Sequence, residues 1–280
     1  MSKTVYKINA LSFKFPKANI ETDGDDFELG PLTLDIVKGK LTSILGRSGS
    51  GKTTLLSILG LLRQQISGSL VLNVNEEDYS SENLWNNDYS IERFRANHFG
   101  FALQKGELLP FLNLYDNAAL VSRFTGASEV QIAKKINHLF EILYEREFKN
   151  NQLEEIKAKF PSQVSGGQLQ RASIIRALAN SPEVLLADEP TGSLDPTTGR
   201  QTMQIFRNVI NDSSHNTSVI VVTHDFHLAV GYADEIIVMK NGEILIKFQK
   251  TDDIWLDSVS SSNYSDSELL IALTDNYLKD

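Results

Sequence analysis

Apolar and polar residues alternate at the start of the chain: VYKINALSFKF and LTLDIV carry the period of two that belongs to half-buried antiparallel strands. Between them the acidic run ETDGDDFELGP, Glu21 to Pro31, reads as an exposed turn. TSIL, Thr42 to Leu45, is a short buried strand that runs into a glycine loop and then the helix KTTLLSILGLL. The polar stretch NEEDYSSENLWNNDYS, Asn75 to Ser90, reads as a solvated excursion before another strand, HFGFAL. From Asp116 to Ala179 the pattern is mainly helical, with apolar residues three and four apart in TGASEVQIAKKINHLFEILYE behind a Ser128 cap. VLLAD, TGRQTMQIFRNVI, SVIVVTHD, FHLAVGYA and EIIVMK then alternate strand and helix, which predicts a largely parallel sheet covered on both faces. Lys240 to Glu243 turn a hairpin toward GEILIKF.

After Thr251 the composition shifts to Asp and Ser, and residues 251–280 hold seven acids against one lysine. Ser265 and Glu268 form a capping box there, with Leu269, Leu270, Leu273 and Tyr277 on one helical face. A docked helix is favoured over a partner-binding one. At 280 residues the chain can bury a sizeable core. Its net charge of -9 offers no broad basic surface, so nucleic acid is not an expected partner. The absence of cysteine excludes disulfides, thiolate zinc sites and cysteine nucleophiles. TTLLSILGLL stops at Arg63, short of a membrane span, and the N-terminus has no apolar signal core, so the chain reads as soluble and unexported.

The chemistry starts at GRSGSGKTT, comprising Gly46, Arg47, Ser48, Gly49, Ser50, Gly51, Lys52, Thr53 and Thr54. Strand, glycine loop and helix in that order let backbone N–H groups point at β- and γ-phosphate oxygens, with the positive end of the helix behind them. Lys52 would neutralise those oxygens and Thr53 would offer its hydroxyl to Mg²⁺. Asp188, at the end of a buried strand, is the matching carboxylate for the metal, and Glu189 beside it is placed to orient or deprotonate water. Gln104 and His224 also end strands: the first could ligate Mg²⁺ or hold the water, the second could bond the γ-phosphate. VSGGQLQR, Val164 to Arg171, is a second helix start suited to an anion.

Taken together, GRSGSGKT, Gln104, VSGGQ, VLLADEPTG, SLD and His224 resemble the nucleotide-binding subunit of ABC transporters over roughly residues 1 to 250. The resemblance implies an α/β P-loop NTPase with a largely parallel sheet, an N-terminal antiparallel β subdomain and a helical subdomain at about residues 105–180. An acidic extension with a short helix then occupies 251–280. It further implies that Ser165, Gly166, Gly167 and Gln168 contact ATP held by a facing second copy, that Asp195 lies on that interface, and that Phe15 stacks on adenine. Phe15 read alone is equally a core residue.

ERFRANHFGFALQKGELLPFLNLYDNAAL is similar to the lipoprotein-release, macrolide-export and cell-division branch. That likeness implies MgATP-driven dimerisation coupled to a membrane permease on a separate chain, at the cytoplasmic face of the membrane. LLPFLNLY, Leu108 to Tyr115, would line a groove for a short helix of the permease, or else is ordinary core. The alternative is a soluble ABC-type ATPase acting on nucleic acid or ribosomes. The long coiled coil, tandem cassettes and zinc cysteines of such relatives are missing from this chain.

Overall fold

In the computed structural model, residues 4–15, 27–86, 91–103, 108–144, 150–192, 194–211 and 217–277 are described. Strands β1 (Thr4–Lys14), β2 (Glu28–Val37) and β3 (Leu41–Leu45) lead into helix α1 (Lys52–Leu59). Strands β4 (Ser67–Val74) and β5 (Glu77–Ser80) follow, then helices α2 (Ser81–Asn86) and α3 (Ile91–His98) and strand β6 (Phe99–Ala102). Helices α4 (Leu114–Phe124), α5 (Glu129–Tyr144), α6 (Asn150–Ala158) and α7 (Gly166–Leu178) make the helical run. Strand and helix then alternate through β7 (Val184–Asp188), α8 (Pro196–Asn211), β8 (Ser218–Thr223), α9 (Phe226–Tyr232) and β9 (Glu235–Lys240). The chain closes with β10 (Glu243–Thr251), β11 (Ile254–Asp257), β12 (Asn263–Tyr264) and α10 (Asp266–Ala272).

The chain divides into two compact units, residues 1–91 with 222–280, and residues 92–221. In the first, the alternating N-terminal segments form an antiparallel sheet in the order β2-β1-β4-β5. Every residue of β3 is buried, as in a strand covered on both faces, and β3 pairs in parallel with β9. Tyr6 carries the hydroxyl that bonds the Leu59 carbonyl at 2.9 Å, tying β1 to the end of α1; burial pushes its pKa well above the usual tyrosine range. Glu235 is 1% exposed, and its carboxylate is satisfied by Lys247 Nζ at 2.6 Å, by Thr42 Oγ1 and by the Val37 N–H. A charge so buried is tolerated because all its partners are present.

The second unit packs α7 on β6 and lays α4 and α5 against α7. β6 pairs in parallel with β7. Gly100 is required by that packing, since a Cβ there would stand 2.2 Å from the Ala177 carbonyl oxygen of α7. The buried Asn117 carboxamide accepts from the Leu109 N–H and donates to the carbonyls of Leu109, Leu112 and Asn113, so it fixes the approach to α4. Asn113 caps that helix by accepting from the Asp116 N–H at 2.7 Å. The expected cap of α5 is present too, with Ser128 and Gln131 bonded to each other.

Three expectations change. Asn75–Ser90 is no plain excursion: β5 pairs with β4, and α2 buries Ser81 and Leu84, while residues 87–90 lie outside the described set. The turn expected at Glu21–Pro31 cannot extend to its end, because Glu28 to Pro31 belong to β2; residues 21–26 lie outside the described set. β9 and β10 form the expected hairpin, but the acidic extension, expected to hold only a short helix, adds β11 and β12 to it as an antiparallel edge. Trp255 of β11 is fully buried and donates its indole N–H to Asp266 at 2.7 Å, which also accepts from Lys250 at 2.9 Å. Helix α10 has the Ser265–Glu268 capping box and buries Leu269 and Ala272, and Leu273 directly after it is buried too; the side chain of Tyr277 lies outside the described set. Asp257 accepts from the N–H groups of Val259 and Ser260 and from the Ser260 hydroxyl, and that hydroxyl above all holds its pKa down to about 2.

Candidate nucleotide site

In the first unit, β3 delivers the chain to Gly46, where a Cβ would stand 2.4 Å from the Met239 carbonyl and 2.5 Å from Ser50 Oγ. Gly51, at φ +98, starts α1 from a left-handed conformation that other residues avoid, and a Cβ there would meet Leu29 and Phe27 at 2.8 and 2.9 Å. Helix α1 has no side-chain cap and no acid in its first turn, so the positive end of the helix suits an anion. Arg47, Ser48, Gly49 and Thr53 are exposed and Thr54 is half-buried. Lys52 is buried, its ammonium donating to the carbonyls of Gly46 at 2.7 Å and Arg47 at 2.9 Å. Ser50 Oγ is buried without a hydrogen-bond partner among the described residues, an orphaned hydroxyl beside the cradle.

The same unit holds Phe15 and His224. His224 is exposed directly after β8, and Asp225 behind it caps α9 by accepting from the Leu228 N–H. Phe15 is 43% exposed, edge-on to Phe13 at 5.2 Å, 6.4 Å from Phe27, and covered by the Arg63 guanidinium at 4.9 Å. It is therefore not a core residue.

In the second unit, the buried run of β7 ends at Asp188 and Glu189, both half-buried. Glu189 sits at φ +45, a left-handed conformation costing a bulky residue about 1 kcal/mol or more, and its carbonyl accepts from the Gly192 N–H at 3.1 Å. Ser165 caps α7 with Gln168 in a reciprocal box: Ser165 Oγ accepts from the Gln168 N–H, and Gln168 Oε1 from the Ser165 N–H. No acid occupies the first turn of α7, and a Cβ at Gly166 would meet nothing within 4 Å. The Tyr144 hydroxyl anchors this start by donating to the Gln168 carbonyl at 2.6 Å. Asp195 accepts from the N–H groups of Thr197 and Thr198 and from the Thr198 hydroxyl at 2.6 Å. Thr198's hydroxyl and N–H hold its pKa below the usual carboxylate range. Thr198 also lies against the start of α7, 3.0 Å from where a Cβ on Gly167 would stand.

The structure thus gathers Gly46–Thr54, Phe15 and His224 in one unit, and Asp188, Glu189, Ser165–Gln168 and Asp195 in the other. Gln104 lies outside the described residues. Phe27, Arg63, Tyr144 and Thr198 escaped the sequence reading. Only Thr198 left a trace there, as the hydroxyl three residues after Asp195 in a helix-start pattern.

Residues 29–192 match the ABC transporter family. The chain belongs to that family. The fold is that of an ATP-binding cassette, and the chain is similar to a dimeric structure of the cassette MJ0796 in a post-hydrolysis state bound to ADP and Pi, with TM-score 0.72 and 29% identity. That likeness covers 87% of this chain and 98% of the other. In sequence it is 37% identical over 222 residues to the uncharacterized ABC transporter ATP-binding protein MJ0796 of Methanocaldococcus jannaschii, covering 78% of this chain and 87% of that one. It is 38% identical over 216 residues to the macrolide export ATP-binding/permease protein MacB 2 of Aeromonas hydrophila, covering 77% of this chain and 31% of that protein. The chain spans about a third of the length of the export relatives it matches.

Proposed function

We propose that this ABC ATPase pairs head to tail with a second copy around two MgATP, and that closing and reopening of the pair drives a separate membrane permease. The observation that carries the reading is a pair of helix starts without acids: α1 behind the glycine cradle and α7 behind Ser165. Each is half of an anion site. The dimeric MJ0796 structures support the pairing.

In this reading the N–H groups of Gly46–Thr54 and the Lys52 ammonium hold the β- and γ-phosphates. Ser165, Gly166, Gly167 and Gln168 of the facing copy close over the γ-phosphate, with Asp195 at the join. Glu189 orients water and takes its proton as the water oxygen bonds to the γ-phosphorus and the bond to the β–γ bridging oxygen breaks. His224 donates to the γ-phosphate oxygens, and Phe15 carries the base. The hydroxyl of Thr53, the carboxylate of Asp188 and the carboxamide of Gln104 would hold Mg²⁺, being hard oxygen donors of the kind it takes. The metal would supply charge neutralisation on the phosphates. Chelating it with EDTA is expected to stop phosphate release from ATP; hydrolysis that continues at full rate in EDTA would remove the metal from the reading.

The permease is supported by the relatives' names, which join ATP-binding and permease functions in chains about three times as long. The same names favour it over the nucleic-acid or ribosome alternative. No described helix is long and apolar enough to cross a membrane. With the permease as its partner, the chain in this reading sits at the cytoplasmic face of the membrane. Within Leu108–Tyr115, Leu108 and Leu114 are core, while Phe111 stands 72% exposed on the loop that Asn117 braces. A large ring so placed is suited to a short apolar helix of the permease. Phe111→Asp is expected to abolish stimulation of hydrolysis by the permease in proteoliposomes while unstimulated hydrolysis stays at the wild-type rate. Normal stimulation would exclude this loop from docking.

A further inference from the structure

We propose that Arg63 is a positioning residue for the nucleotide base: its guanidinium holds one face of Phe15, leaving the opposite face to the base. The inference rests on the reading of Phe15 as the base platform. The Arg63 guanidinium lies 4.9 Å from the Phe15 ring centre and 5.7 Å from that of Phe13, within cation–π range of both. Phe13 is nearly buried and fixed in β1, whereas Phe15 lies just past the end of that strand and is largely exposed. A half-exposed ring that must receive a planar ligand benefits from being held beforehand, because ordering it on binding costs free energy.

Arg63 is itself held by the phosphate-binding helix. The chain leaves α1 through Leu61 at φ +54, and the N–H groups of Leu62 and Arg63 both donate to the Ser57 carbonyl, at 2.8 and 3.2 Å. Ile66 then ties the segment to β1 by donating to the Ser12 carbonyl at 2.9 Å. At the other end of the same helix, Phe27 touches both Phe15 and the Gly51 that opens α1. One short helix therefore sets the phosphate cradle with its first residues and the base platform with the residues after its last turn. Distance between the two subsites is fixed by the length of α1.

The test compares MgATP with magnesium tripolyphosphate, which has the phosphates and neither ribose nor base. Arg63→Ala is expected to weaken ATP binding by roughly two- to fivefold, the worth of an exposed cation–π contact, with kcat and tripolyphosphate affinity unchanged. Arg63→Lys, which keeps the cation, is expected to restore most of the loss. Unchanged ATP affinity in Arg63→Ala, or equal loss for both ligands, overturns the proposal, the second outcome showing a merely structural role. Phe15→Ala separates the two levels. If it leaves ATP affinity intact, the platform reading fails and Arg63 with it; if it weakens ATP while Arg63→Ala does not, only the role of Arg63 is lost.

Discussion

Glu189→Gln is expected to lower turnover by about a hundredfold or more while ATP binding survives. Carboxamide and carboxylate are nearly the same size, so the substitution leaves the turn after β7 and its Glu189–Gly192 hydrogen bond in place. What disappears is a group able to take a proton from water. Backbone geometry argues for the same residue, since Glu189 is held at φ +45 where glycine would be unstrained, and such strain is kept where the side chain's direction matters. Binding intact and hydrolysis blocked, the variant should accumulate as an ATP-loaded dimer. Sedimentation with and without MgATP reads that accumulation, and phosphate release reads the rate. Near-normal hydrolysis would take Glu189 out of catalysis; a lost rate with monomers at high protein concentration would leave the head-to-tail pairing without support.

The glycine loop after β3, the capped start of α7 and the end of β7 were legible in the sequence because local backbone demands restrict the residues that can serve. Gly46 and Gly51 have no room for a side chain, and Ser165 with Gln168 is a four-residue device complete in itself. The fully buried runs of β3 and β8 were legible for a different reason, continuous burial. Contacts between distant segments left no comparable mark. Phe27 looked like one apolar residue in an acidic run, yet it packs on Gly51, twenty-four positions on. Arg63 looked like the polar stop of an apolar helix, yet it covers Phe15. Polar composition also hid structure: β11 and β12 lie in a stretch rich in Asp and Ser, where Trp255 is the anchor and Asp266, eleven residues later, completes its hydrogen bond. Helix α2 was missed because it buries little beyond Ser81 and Leu84, too little for a period to show.

Mixing two inactive variants should restore activity. Lys52→Ala removes the buried ammonium that braces the glycine loop, and Ser165→Arg removes the α7 cap and places a long cation where the facing phosphate would sit. Alone, each variant is expected to lose at least about a hundredfold in turnover, since every site in its dimers lacks one electrostatic half. In an equal mixture about half of the dimers pair one variant with the other under random C2 association. Such a mixed dimer has one ruined pocket and one in which an intact Lys52 faces an intact Ser165. Recovery to about a quarter of the wild-type rate is expected if the pockets turn over independently. A site assembled within one chain would give no recovery at any ratio, because neither variant then contains a complete set of residues. The stability controls matter for Ser165→Arg, whose lost cap costs about 1 kcal/mol, so its thermal unfolding must remain cooperative for the result to bear on function. Recovery on mixing would show that the anion sites at α1 and α7 serve one nucleotide from two chains, which is why a single chain needs both.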